Sequence, residues 1–124
     1  MSAQKPQDLH SLFVNALNSG DLNGLVGLYE PNATLVPQPG QVVTGTVAIR
    51  EALSRFVSMK PMIRMDTSLV LETGDIAFLR GKWTLDAKGP DGKPSQMTGH
   101  STEVARRQCD GAWLFVIDHP YGAD

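Results

Sequence analysis

Residues 61–87 read PMIRMDTSLVLETGDIAFLRGKWTLDA, and the spacing of their apolar residues decides the fold. Before Pro61 the apolar residues Ile49, Ala52, Leu53, Phe56 and Val57 recur at helical spacing, and Pro61 acts as the stop signal. Beyond it the period falls to two, the alternation of a strand with one buried face. Ile63, Met65, Thr67, Leu69 and Leu71 share a face, and Thr73-Gly74-Asp75 supplies a tight turn with Gly-Asp at its centre. Ala77, Leu79, Trp83 and Leu85 then alternate against Ile76, Phe78, Arg80 and Lys82.

Towards the C-terminus the pattern repeats. A turn at Lys88-Gly89-Pro90-Asp91-Gly92-Lys93 precedes a strand from Ser95 to Gln108, and Cys109-Asp110-Gly111 turns into a last strand from Trp113 to His119. Towards the N-terminus the chain is helical. Leu9, Leu12, Phe13, Ala16 and Leu17 form an amphipathic stripe, which Asn18-Ser19-Gly20 ends. Asp21 is placed to cap a second helix through Tyr29, with Pro31 as its stop. Asn32 to Val36 reads as a short strand, Pro37-Gln38-Pro39-Gly40 as a turn or loop, and Thr46 as the cap of the third helix. Helices followed by a meander predict an α+β domain over residues 1–124, with three N-terminal helices on one face of a curved antiparallel sheet. The conical space between the layers is the expected ligand site.

Bulk properties narrow the partners. The 124 residues carry a formal net charge of −2, which gives no basic footprint for nucleic acid or for an anionic membrane. No stretch approaches the roughly 20 apolar residues of a membrane helix, and the polar start MSAQKPQDLH lacks the apolar core of a secretion signal, so a cytoplasmic setting is expected. Cys109 is the only cysteine. It excludes an internal disulfide, and the strand to His119 would hold that residue on the order of 20 Å from Cys109, too far for a nucleophilic pair. His10, His100 and His119 lack metal-ligand spacing, and Gly20, Gly24 and Gly27 form no phosphate loop after a strand, so neither a metal nor another cofactor is expected. Charged residues are only 19% of the chain, which favours an oligomer.

Several motifs carry a resemblance. Ala16-Leu17-Asn18-Ser19-Gly20-Asp21-Leu22, Leu28 to Thr34, Gly45 to Ala52 and the hairpin Asp110-Gly111-Ala112-Trp113 with Ile117-Asp118-His119 are similar, in that order, to the nuclear-transport-factor-2-like, or ketosteroid-isomerase-like, superfamily. The last hairpin resembles that of its small bacterial SnoaL-like, DUF4440-type members. The resemblance implies a cystatin-like conical roll, commonly a homodimer packed through the open sheet face. It implies no particular reaction, since the fold hosts isomerases, cyclases, dehydratases, hydrolases and association modules. A ketosteroid isomerase needs a carboxylate base, a tyrosine and a protonated aspartate. On the family register these positions fall on Pro37, Phe13 and either Glu103 or Val104, so at least two of the groups are missing.

The same register assigns Ile117, His119 and Tyr121 to the pocket side of the last strand. His119 is then a candidate acid or base, or else a strand-end or interface residue. Asp118 is expected on the opposite face, paired with Arg80 or Arg106. Glu103 is a candidate acid if it lies inside the cone, and a structural ion-pair partner if outside. Phe13, Tyr29, Phe56, Met62, Trp83 and Ile117 are expected to line the cone or fill it, with Trp83 and Tyr29 as stacking surfaces for a small apolar, ring-containing molecule. The apolar face carrying Ile76, Phe78 and Val116 is the expected dimer surface.

Overall fold

The computed structural model describes residues 2–124. Helix α1 spans Asp8–Ser19 and ends at Gly20, whose φ of +73° needs the freedom of glycine. Helix α2 is short, Leu22–Val26, with the Asp21 carboxylate accepting from the Gly24 N–H at 2.9 Å as the capping pattern predicts. It does not reach Tyr29. Gly24 and Gly27 each cost a helix about 1 kcal/mol, and the Leu28 carbonyl is taken by the Phe115 N–H at 2.8 Å. The chain therefore enters strand β1, Tyr29–Gln38, earlier than the sequence suggests.

Strand β1 runs on through Pro37 and Gln38, where a turn or loop was expected, and strand β2, Gln41–Thr44, which was not expected from the sequence, folds back on it through Gly40. Helix α3 spans Thr46–Ser58; Gly45 takes the cap position, and the Thr46 hydroxyl instead donates to the Pro31 carbonyl. The meander follows as β3 (Met62–Thr73), β4 (Ile76–Lys88), β5 (Pro94–Arg107) and β6 (Trp113–His119), each antiparallel to the next.

The six strands form one sheet in the order β2-β1-β6-β5-β4-β3. The β1–β6 pair is parallel, so the sheet is mixed rather than wholly antiparallel. The three helices pack on its concave face. Leu9, Leu17, Leu25, Ile49 and Leu53 from the helices meet Ile63, Leu79, Leu85 and Phe115 from the strands, all buried in one core. The architecture is the α+β roll that the change of period at Pro61 predicts. Among the described residues no helix is long and apolar enough to cross a membrane.

Two register irregularities shape the cone. One extra residue, Ser68, sits in β3 between the pairs Thr67–Gly81 and Leu69–Arg80. Another, Val116, sits in β6 between the pairs formed by Phe115 with Ala105 and by Ile117 with Val104. Such bulges bend a strand and re-aim the side chains beyond them.

Candidate functional site

The cone holds a cavity of about 60 Å3 that is open to solvent at its mouth. The walls are almost wholly apolar, with Phe13 from α1, Phe56 from α3, and Trp83 and Leu85 from β4. The Trp83 indole is fixed by a 2.6 Å bond from its N–H to the Pro120 carbonyl and by an edge-on contact with Tyr121, ring centres 5.4 Å apart. Gly99 leaves it room, since a Cβ there would lie 2.6 Å from the ring.

Besides Ser101 and Tyr121, four buried polar side chains interrupt this surface, arranged as two pairs. The Tyr29 hydroxyl donates to Asp118 Oδ2 at 2.6 Å, and His10 Nε2 lies 2.6 Å from Glu103 Oε1. All four are at most 6% exposed. Glu103 and Asp118 are direct cross-strand partners on β5 and β6, so the two pairs stand side by side. Neither Glu103 Oε2 nor Asp118 Oδ1 hydrogen-bonds within the protein, and no buried side-chain polar atom is left unpartnered among the described residues, so each carboxyl turns one oxygen to the cavity.

The electrostatics separate the two acids. Burial, and then the Glu103 charge, raise Asp118 to about 7, with the Tyr29 hydroxyl and His10 pulling the other way. Burial and the neighbouring Asp118 also push the Tyr29 phenol well above its ordinary value, so it stays a hydrogen-bond donor. Near neutral pH the site thus holds a carboxyl that gains and loses a proton readily, beside a histidine-bound carboxyl. That combination suits acid–base chemistry on a bound molecule.

Of the residues expected at the site, Glu103, Phe13, Tyr29, Phe56, Trp83 and Tyr121 line the cavity. Glu103 rather than Val104 faces the cone, which settles the ambiguity between them. Three expectations fail. Met62 is 57% exposed, because Ile63 holds the inward phase of β3. Ile117 is 43% exposed, because the extra residue Val116 reverses the phase of β6. The same reversal keeps His119 out of the cavity; it is half-buried opposite Thr102, with Nδ1 accepting from the Tyr121 N–H at 3.3 Å.

Asp118 gains by that reversal. It points inwards to Tyr29 and not outwards to an arginine; Arg106 pairs with Glu30 at 2.9 Å, and Arg80 lies over the Phe78 ring. His10 is the second residue missed from sequence. Its signal was present, since it stands three and seven residues before the cavity-lining Phe13 and Leu17, on one helical face. The cavity walls also include Phe13 and Pro37, side chains that can neither donate nor accept a proton.

Residues 11–114 match the SnoaL-like domain family. The chain belongs to that family. This SnoaL-like protein shares its fold with solved structures at low sequence identity. A ketosteroid isomerase-like protein from Erwinia carotovora atroseptica is 16% identical, with a TM-score of 0.80 over 91% of this chain and 89% of the other. A candidate dehydratase of the NTF2-like family from Streptomyces avermitilis is 21% identical, with a TM-score of 0.77 over 94% of each chain. A candidate calcium/calmodulin-dependent protein kinase II association domain from Xanthomonas campestris is 22% identical, with a TM-score of 0.76 over 95% of this chain and 86% of the other. Among curated proteins none matches the SnoaL-like chain. At these identities the likeness is one of fold, and the chemistry rests on the residues in the cone.

Proposed function

We propose that this SnoaL-like protein binds a small, mostly apolar, ring-containing molecule in its cone and acts on it by acid–base catalysis, as a cyclase, isomerase or hydrolase does. The observation that carries this reading is the pair of neighbouring buried carboxyls, Glu103 and Asp118, each backed by a hydrogen-bonding partner inside an apolar recess. Two acids held in different environments divide the labour of proton donor and acceptor. In this reading Asp118 gives or takes the proton at the ligand, Tyr29 orients it, and Glu103 is the second proton carrier.

The cavity of about 60 Å3 lies well below the roughly 300–1,000 Å3 of drug-sized sites. The ligand is therefore compact, or seats one polar edge inside with its ring at the open mouth against Trp83 and Tyr121. A ketosteroid isomerase is not the reading supported here, because Phe13 and Pro37 stand at two of the positions that its chemistry requires. The test is a thermal-shift and NMR titration with a panel of small ring ketones, lactones and phenols. Binding that moves the Asp118 and Glu103 carboxyl signals, and that weakens at least tenfold in Asp118→Asn, supports the proposal. A panel that leaves both carboxyls unmoved overturns it.

A second reading, a homodimeric association module, has its own observation. Leu71, Phe78, Val104 and Ile117 are cross-strand neighbours in one row over four strands of the convex face, and Leu71 and Ile117 are exposed. A row of this kind fits the face of a second copy. Light scattering that finds a monomer at micromolar concentration rejects it.

A further inference from the structure

His10 is buried, yet it borders two separate spaces. It lines the cone, and it also lines an outer pocket between α1 and β3 formed with Ser11, Val14, Asn15, Met65 and Thr67. Both ring nitrogens are engaged, Nε2 with Glu103 Oε1 at 2.6 Å and Nδ1 with Thr67 Oγ1 at 2.7 Å. Thr67 is exposed. An unbroken line of hydrogen bonds therefore runs from a carboxyl in the cone, through the protein wall, to a hydroxyl at the surface.

The place for this ring is built into two strands. Gly81 on β4 lies under it, where a Cβ would come 3.1 Å from His10 Cε1 and 3.3 Å from Met65 Cγ. Glycine inside a strand weakens it and marks a close approach. The extra residue Ser68 follows Thr67 directly, at the point where β3 changes register.

We propose that Glu103, His10 and Thr67 form a proton conduit joining the cone to solvent through its back wall, independent of the mouth. This rests on the reading of Glu103 as a proton carrier. In one end state Glu103 is ionised, His10 carries its proton on Nε2, and Nδ1 accepts from the Thr67 hydroxyl. For inward transfer the hydroxyl proton passes to Nδ1, the Nε2 proton passes to Glu103 Oε1, and water returns a proton to Thr67. The ring has then exchanged tautomers, Glu103 is neutral, and one proton has moved inwards with nothing else consumed. Outward transfer is the reverse. A bound ring compound would plug the mouth without blocking this route, so the site could be reset while occupied. His10 and Thr67 act through Glu103 and are positioning residues.

The test needs no substrate. Exchange of the His10 ring proton with water is measured by 15N-resolved NMR on the ligand-free protein, with the Tyr29 hydroxyl proton as a reference on the mouth side. In Thr67→Val, which keeps shape and β-branching but loses the hydroxyl, His10 exchange is expected to slow at least tenfold while Tyr29 exchange stays constant; the melting temperature falls modestly, because the buried Nδ1 loses its partner. Thr67→Ser, which restores a hydroxyl, should exchange as the wild type does. An unchanged rate in Thr67→Val, equal slowing at Tyr29, or failure of Thr67→Ser to restore the rate overturns the conduit. None of these results bears on whether ring compounds bind, so the conduit and the proposed function can fail separately.

Discussion

Glu103 and Asp118 sit directly opposite each other on neighbouring strands, with both carboxyls turned into the same apolar cone. Like charges directly opposite across a ladder destabilise it, so the pair is tolerable only if the charges are divided. The protein divides them by giving one acid an imidazole and letting the other hold its proton towards neutrality.

That division sets a pH dependence. Asp118 has a folded-state pKa of about 7 against its ordinary 3.8. Between those values the folded protein holds a proton that the unfolded chain has released, so this group's stabilising contribution is full below about 4 and is lost as pH rises to about 7. At about 1.4 kcal/mol per pKa unit the loss is on the order of 4 kcal/mol. Asp118→Asn removes the titration and can still accept from Tyr29. Urea unfolding at pH 5 and pH 8.5 should show the variant gaining on the wild type by ~2–4 kcal/mol at the higher pH. A gap that does not vary with pH refutes the assignment.

Tyr29→Phe tests the partner. The hydroxyl bond favours ionised Asp118, so its loss should raise the Asp118 pKa further, read by the 13C shift of the carboxyl. A lower value contradicts the geometry.

His10→Ala leaves the Glu103 carboxyl buried without its partner, a loss worth about 3–5 kcal/mol in comparable buried pairs. Glu103→Gln should cost less, since an amide can still bond to the ring. A double-mutant cycle in guanidinium should give a coupling of about 1–3 kcal/mol, and zero coupling means the two do not interact in solution.

Gly81→Ala should cost about 1–3 kcal/mol through overpacking, because the new methyl meets His10 Cε1. In a His10→Ala background most of that cost should vanish. Equal costs in both backgrounds point to a backbone cause.

Ile117→Lys places a charge in the convex row beside Val104. If that row seats a second copy, sedimentation should show the dimer weakened at least a hundredfold with the fold intact by circular dichroism. A dimer that survives unchanged uses another surface.

The sequence by itself determined the order of elements, β2 excepted. The switch of period at Pro61, the Gly20–Asp21 helix junction and the glycine turns at Gly74, Gly92 and Gly111 are local signals, and each marks a boundary close to where it falls. Local signals also placed Phe13, Tyr29, Phe56 and Trp83 around the cone, and the family register added Tyr121. The active polar set needed the tertiary structure, for two physical reasons. Strand alternation predicts inward faces only while the register is unbroken, and the single extra residue Val116 turned Asp118 inwards and Ile117 outwards. His10 and Glu103 are 93 residues apart, and only the packing of α1 across β3 and β4 brings that histidine to that carboxylate. Pattern along the chain settled the scaffold, and a bulge with one long-range contact decided which side chains face the ligand space.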